Sequence, residues 1–266
     1  MIDFEQAFYL ALIQGLTEFL PISSSGHLIL VPSLLGWPDQ GLAFDVAVHI
    51  GTLLAVMIYF RCDLSAILRG LADELRGRGR SRQSYLGQLI LYTTLPGIVA
   101  GVLINETFTV WLRQPLVIAA ATVGFALVLL VADIRGSKHR GMGDVDWRDA
   151  LIIGVAQAFA LVPGTSRSGV TITAALVLGL DRRSAARFSF LVAIPIILAA
   201  GILKAFDLVV VADSVKWDIF VFGIFVAAGS AWFVIALFLR FIERIGMLPF
   251  VLYRLVLGGL LFLWFR

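Results

Sequence analysis

Two short polar stretches, far apart in the chain, carry the residue types that phosphate chemistry needs. The first runs Gln14-Gly15-Leu16-Thr17-Glu18-Phe19-Leu20-Pro21-Ile22-Ser23-Ser24-Ser25-Gly26-His27. The second runs Pro163-Gly164-Thr165-Ser166-Arg167-Ser168-Gly169-Val170-Thr171. Gln14 and Glu18 are four apart and share one helix face. Ser23, Ser24 and Ser25 follow at a break, and His27 opens the next helix. In the second stretch Ser166, Arg167 and Ser168 precede Thr171, again at a helix start. A helix N-terminus with free amides favours an anion. Two such termini facing each other, lined by Ser23, Ser166, Ser168 and Thr171 with Arg167 between them, would make a phosphate or diphosphate cradle. The planar fork of Arg suits phosphate oxygens. Cleavage also needs a nucleophile, a proton acceptor and charge neutralisation. Ser24 is the nucleophile candidate, with His27 or Glu18 as its base. Glu18, together with Gln14, could instead help hold a divalent cation, Mg2+ or Ca2+. One carboxylate is a thin set for such an ion, so it would bind mainly with the substrate's phosphates.

Each residue also has a plainer reading. Serines at a membrane helix break satisfy backbone and pack small. Pro21 and Pro163 read as structural. Gln14 and Gln157 can hydrogen-bond between helices. Glu18 can be the partner of Arg167 in a structural ion pair. Arg254, charged inside an apolar run, either snorkels outward or adds a second cation to the site. His49 has no motif around it and reads as a satisfied packing residue, and His139 as a loop residue. The carboxylate, His27 and Arg167 are the hardest to explain by packing alone, because unpaired polar groups in hydrocarbon cost several kcal/mol each by rough estimate.

The elements that must position these residues are membrane helices. Of 266 residues, 60% are hydrophobic and 15% charged, with a mean hydropathy of +0.96. Soluble domains hold roughly 45–50% apolar and about 25% charged residues. The net charge of +3 and pI near 9.3 point to basic cytoplasmic loops and not to nucleic acid. A single cysteine, Cys62, excludes an internal disulfide and a cysteine metal site. The first apolar run lacks a basic n-region and a small-residue cleavage site, and is read as mature protein. Six segments approach the roughly 20 apolar residues that a span needs: about 43–60, 85–104, 115–134, 184–204, 217–239 and 249–265. Residues 4–36 and 147–180 instead read as a short helix, a polar break and a second short helix. The breaks run from Pro21 to Gly26 and from Pro163 to Gly169. Non-helical backbone at membrane depth survives only when buried in protein or lining a cavity, so both regions are expected to be re-entrant hairpins.

The two regions are copies. At an offset of 143, Asp3 falls on Asp146, Gln14 on Gln157, Ser23 on Ser166, Ser25 on Ser168, Gly26 on Gly169 and Leu35-Gly36 on Leu178-Gly179. Ser24 is then the counterpart of Arg167. The expected fold is all-α: one integral membrane domain over 1–266, with a first repeat (1–134), a cytoplasmic linker (135–145) and a second repeat (146–266). One hairpin plus three spans per copy inverts the second copy relative to the first. Loop charges agree. Arg61 to Arg82, Arg135 to Arg148, Arg182-Arg183 and Arg240 to Arg244 mark cytoplasmic sides, whereas loops near 37–42, 105–114 and 205–216 are poor in Lys and Arg. Both termini would lie outside, and the hairpin tips would meet near the midplane.

At these motifs the chain strongly resembles the undecaprenyl-diphosphatase family, the bacterial bacitracin-resistance type of integral membrane phosphatase. Gln14-x-x-x-Glu18 matches its (E/Q)-x-x-x-E pattern, followed by Pro-x-Ser-Ser-x-Gly-His through His27. Pro163-Gly164-Thr165-Ser166-Arg167-Ser168-Gly169-x-Thr171 and the run ending in Tyr253-Arg254 match as well. The resemblance implies release of the terminal phosphate of undecaprenyl diphosphate, which regenerates the lipid carrier of peptidoglycan synthesis. It also implies a divalent cation, a site reached from the outer leaflet of the bacterial plasma membrane, and bacitracin resistance. Glu18, Ser24, His27, Ser166, Arg167, Thr171 and Arg254 match its functional positions. Gln14 stands where many members carry Glu. The resemblance does not choose between Ser24 and His27 as the attacking group.

The partners expected are a polyprenyl diphosphate, membrane lipids and a second copy of the chain in a homodimer, with no nucleic acid. The competing class is a transporter or flippase of polyprenyl phosphates, since inverted repeats with crossed hairpins are common there. The Ser24/His27 pair separates the two, because moving an anion does not require it.

Overall fold

The computed structural model describes residues 2–103, 111–210 and 216–265. Eleven α-helices make up the described chain, and no β-strand occurs among the described residues. They are α1 (Phe4–Thr17), α2 (Ser24–Leu35), α3 (Gly41–Tyr59), α4 (Arg61–Leu75), α5 (Arg82–Leu103), α6 (Pro115–Arg135), α7 (Trp147–Ala158), α8 (Arg167–Val177), α9 (Arg182–Val210), α10 (Trp217–Ile245) and α11 (Leu248–Trp264). Five of them, α3, α5, α6, α9 and α10, are long and apolar enough to cross a membrane. The protein is a polytopic, all-helical membrane protein. The expected last span is the apolar helix α11, at 17 residues the shortest of the six. Of the lysine- and arginine-poor loops near 105–114 and 205–216, residues 105–110 and 211–215 lie outside the described residues, and 205–210 continue α9.

The two broken regions start alike. Asp3 caps α1 in a reciprocal capping box with Gln6, and Asp146 caps α7 in one with Asp149. Each short helix is therefore started by its own side chains before any packing. Each then ends well short of a bilayer's thickness, because the backbone turns at Leu20-Pro21 and at Val162-Pro163-Gly164. The second helix of each pair is capped by a serine in the left-handed region, Ser23 at φ 75° and Ser166 at φ 71°. Their Oγ atoms accept from the amides of Gly26 (3.4 Å) and Gly169 (3.1 Å). A non-glycine residue held there costs on the order of 1–3 kcal/mol. The cap, and the contacts it makes across to the other break, offset that strain.

Packing follows the same pairing. α1 lies on α10, and its counterpart α7 lies on α5; α3 lies on α10, and α9 on α5; α3 meets α9, and α6 meets α11. Two of these crossings are closed by glycine. A Cβ on Gly15 would stand 1.9 Å from Ser230 Oγ and 2.7 Å from the Ala227 carbonyl, and one on Gly154 would stand 2.6 Å from the Thr93 carbonyl. Small residues that let helix backbones touch are the usual device in membranes, where water drives no association between helices. The largest apolar cluster runs from Phe19 through Phe188 and Phe190 to Leu129 and Leu176. It seats the first break on α9, with Phe19 edge-on to Phe190 at 5.1 Å.

Ion pairs tie the ends of the helices on the side rich in arginine. Asp133, at the end of α6, is buried; its carboxylate accepts from Arg182 Nε (2.6 Å), Arg182 Nη2 (3.0 Å) and the Met247 amide (3.1 Å), and its main-chain carbonyl accepts from Lys138. It thereby joins α6, α9 and the α10–α11 turn. Arg140 spans Asp149 with both terminal nitrogens, at 3.1 and 2.5 Å, and donates to the Leu178 carbonyl at 2.8 Å. The Asp149 carboxylate holds the Arg140 guanidinium above its ordinary pKa. The Asp149 amide, donating to Asp146, holds that carboxyl below the usual range.

Candidate active site

Glu18, the residue that ends α1, is the centre of the polar cluster. It is 8% exposed and takes hydrogen bonds on both oxygens. Oε1 accepts from Arg167 Nη2 at 2.7 Å. Oε2 accepts from the Ser24 hydroxyl at 2.6 Å and from Gln14 Nε2 at 3.0 Å. One carboxylate therefore gathers the helix residue four positions back, the serine on the far side of its own break, and the arginine of the other break. Arg167 also donates to the Ser189 carbonyl at 3.3 Å and lies 5.8 Å above the Phe19 ring. The residues 143 positions apart, Ser24 and Arg167, thus stand on opposite oxygens of the same carboxylate.

The serines that frame these groups have other partners. Ser23 Oγ accepts from the Gly164 amide at 3.1 Å, and Ser168 Oγ donates to the Leu20 carbonyl at 2.8 Å. Ser166 pairs with Ser168 at 3.1 Å, as Ser23 pairs with Ser25 at 3.4 Å. Thr171 donates back to the Arg167 carbonyl at 2.9 Å and pairs with Ser189 at 2.7 Å. All of Ser23, Ser166, Ser168 and Thr171 are buried, whereas Ser24 and Arg167 are half-buried. The two breaks touch and satisfy each other's backbone, as expected of non-helical chain in an apolar surround.

Arg254 does not snorkel, and it pairs with no acid among the described residues. It is fully buried and donates to three carbonyls: Thr122 from Nε (3.2 Å), Pro21 from Nη1 (3.3 Å) and Gly164 from Nη2 (2.9 Å). One side chain on α11 thus holds a carbonyl from each break. Its position in the sequence marks it as unusual, but the three acceptors lie 132, 233 and 90 residues away, and no local pattern announces them.

His27 takes its hydrogen bonds outside the carboxylate network. Its Nδ1 lies 2.7 Å from the Ser23 carbonyl and its Nε2 lies 2.5 Å from the Tyr253 hydroxyl. His49, read from sequence as a packing residue, reaches the site instead. Its Nδ1 meets the Asp45 carbonyl at 2.7 Å and its Nε2 stands 4.0 Å from Glu18 Oε2. Asp45 contributes only its main-chain carbonyl, so no side-chain spacing within α3 signals the approach to Glu18.

Among the described residues no group of three or more His, Cys, Asp or Glu converges as a metal cage. One buried polar atom beside Glu18 is nonetheless without a partner, the Oε1 of Gln14. A carboxylate and an orphaned amide oxygen are hard donors of the type that Mg2+ and Ca2+ accept. The residues present therefore fit a divalent cation completed by phosphate and water oxygens. The repeat counterpart, Gln157, has the same orphaned Oε1 but no acid near it in sequence, because Leu161 stands where Glu18 does.

Comparison with known proteins places these residues in a named group. Residues 7–260 match the family model described as "Bacitracin resistance protein BacA". A protein of Chromohalobacter salexigens named "Undecaprenyl-diphosphatase" is 54% identical over 255 residues, 96% of each chain. Proteins of the same name from Nitrosococcus oceani and Alcanivorax borkumensis are 53% and 52% identical over 260 and 262 residues. They cover 98% of this chain in each case, and 98% and 99% of their own.

Proposed function

Because the chain belongs to the bacitracin resistance protein BacA family, we propose that it works as its relatives are named to work, as an undecaprenyl-diphosphatase. It hydrolyses undecaprenyl diphosphate to undecaprenyl phosphate and inorganic phosphate in the bacterial plasma membrane, and so recycles the carrier for cell-wall synthesis and confers bacitracin resistance. The observation that carries the chemistry is the 2.6 Å hydrogen bond from Ser24 to Glu18, within a cluster that also holds Arg167. Translocation of an anion needs no serine aimed at a carboxylate, which disfavours the transporter reading.

In this reading Ser24 Oγ attacks the terminal phosphorus and its proton passes to Glu18. The bond from phosphorus to the bridging oxygen breaks, and undecaprenyl phosphate leaves with that electron pair. Water then attacks the phosphoserine. Glu18 returns its proton to the departing Ser24 oxygen, phosphate leaves, and the water's second proton goes to solvent. Arg167 is the half-buried cation placed to meet the phosphate as charge develops. Ser23, Ser166, Ser168, Thr171 and Arg254 hold the frame around it, together with those first-turn amides of α2 and α8 that the serine caps do not take. Glu18 and Gln14 would hold a divalent cation, which when bound supplies charge neutralisation to the phosphates. His27 is the second candidate for the covalent role, although the hydroxyl of Tyr253 occupies its outer nitrogen.

The architecture we propose is an inverted repeat of six spans and two re-entrant hairpins, α1–α2 and α7–α8. It is supported by the exchanged packing of α1 on α10 and α7 on α5, and by the matched caps at Asp3 and Asp146 and at Ser23 and Ser166. Both termini lie outside, the site opens to the outer leaflet, and a homodimer is the assembly to test by mass measurement in detergent. The activity is tested by phosphate release from undecaprenyl diphosphate with the purified full chain. Wild type should turn over, and Ser24→Ala and Arg167→Ala should lose at least about 100-fold. A Ser24→Ala variant that retains full turnover while His27→Ala does not would transfer the covalent role to His27.

A further inference from the structure

Tyr253 stands outside every role assigned so far, yet its hydroxyl makes the shortest contact in the site. The His27 ring is held at both ends. Its Nδ1 faces the Ser23 carbonyl at 2.7 Å. A carbonyl oxygen brings no proton, so the hydrogen of that bond belongs to Nδ1. The neutral ring then has a bare lone pair on Nε2, and the Tyr253 hydroxyl at 2.5 Å is the donor that meets it. The two rings lie almost parallel, 11° apart with centroids at 5.6 Å, so the phenol also fixes the plane of the imidazole. His27 is buried, while Tyr253 is 44% exposed. The next residue, Arg254, fixes this turn of α11 to both breaks through the Pro21 and Gly164 carbonyls.

We propose that Tyr253 is a positioning residue of the site: its hydroxyl holds His27 as the Nδ1–H tautomer, with Nε2 kept as an acceptor in a fixed direction. The consequence is a division of labour. Glu18 handles the Ser24 proton, and His27 is kept out of that bond, its ring fixed between the Ser23 carbonyl and the phenol. This rests on the phosphatase reading above, and the test separates the two.

The test uses Tyr253→Phe, which keeps the ring and its stacking and removes only the oxygen. The full chain, in detergent with undecaprenyl diphosphate, should lose about tenfold in kcat with KM within roughly twofold of wild type. In a His27→Ala background the same change should add less than about twofold, because the hydroxyl acts through the imidazole. A Tyr253→Phe enzyme with wild-type kcat overturns the proposal, and so does an equal loss in both backgrounds. A second readout does not depend on turnover. The chain has three histidines, so nitrogen-15 spectra of the histidine-labelled protein in bilayers resolve His27 by its disappearance in His27→Ala. Its signal should report Nδ1–H in wild type and change in Tyr253→Phe. An Nε2–H signal in wild type, or an unchanged spectrum in the variant, overturns the assignment even if activity follows the expected pattern. A wild-type chain that releases no phosphate would remove the phosphatase reading, and the spectra would still decide the tautomer.

Discussion

Replacing Glu18 by Gln isolates charge from shape at the centre of the site. The carboxylate accepts from Arg167, Ser24 and Gln14 at 2.7, 2.6 and 3.0 Å. A glutamine in its place offers one oxygen and one amino group. With the oxygen toward Arg167, the amino group faces Ser24 and Gln14. Ser24 can turn to accept, and Gln14 can flip to present the Oε1 that now has no partner. Every group keeps a hydrogen bond, so the fold should survive: the loss is that of charge on the Arg167 bond. A charged hydrogen bond is worth about 1–2 kcal/mol more than a neutral one. Chemistry should suffer far more. The amide cannot take the Ser24 proton, and loss of a positioned base costs about 10²–10⁴ in rate, or roughly 3–5 kcal/mol of barrier. Phosphate release from undecaprenyl diphosphate should therefore fall at least 100-fold, while the melting temperature in detergent moves by a few degrees only. A Glu18→Gln protein within about threefold of wild-type kcat would refute the role given to Glu18 as base. A protein that fails to fold would refute the claim that the amide can be accommodated.

Three further outcomes follow from the same geometry. Arg254→Met strips donors from three carbonyls; at about 1 kcal/mol or more for each acceptor left bare, and roughly 2–4 °C per kcal/mol, melting should drop about 6–12 °C, and phosphate release should be lost with it. Gly15→Ala should lower the melting temperature by several degrees, since its methyl would stand 1.9 Å from Ser230 Oγ and 2.7 Å from a backbone oxygen; Gly124→Ala, with nothing within 4 Å of the added carbon, is the control expected to be neutral. Chelation should abolish turnover and Mg2+ or Ca2+ restore it, and Gln14→Leu should raise the cation concentration needed for half-maximal activity if the orphaned amide oxygen is a ligand.

Much of this site can be read in sequence because its signals are local. Proline, serine and glycine break helices wherever they cluster, and a carboxylate in an apolar run stands out against its neighbours. The offset of 143 could be found because both copies kept caps and break residues that local backbone geometry requires, such as the serines at positive φ. What stayed hidden depends on distance. Arg254 looked like a charge in search of water or phosphate, and its carbonyl partners could be seen only once α11 was laid beside both breaks. His49 looked like packing because its tie to Glu18 crosses from α3 to α1. Tyr253 carried no hint of its contact with His27, 226 residues away. Asp133 and Arg182 meet 49 residues apart to fasten three helix ends, and there too the pattern of either segment alone carried only charge and hydropathy.

The interlock of the breaks has a consequence for how the protein is made. Pro21 is synthesised early, but its carbonyl is satisfied by a side chain 233 residues later. The hydroxyl of Ser23 waits for an amide 141 residues on. At about 5–20 residues per second of synthesis, roughly 10–50 s pass before the first break can be closed. During that interval it must stay near the interface, where water supplies the missing bonds, or be shielded by the insertion machinery. The meeting of the two breaks is thus completed late, once α11 brings Arg254 to both of them.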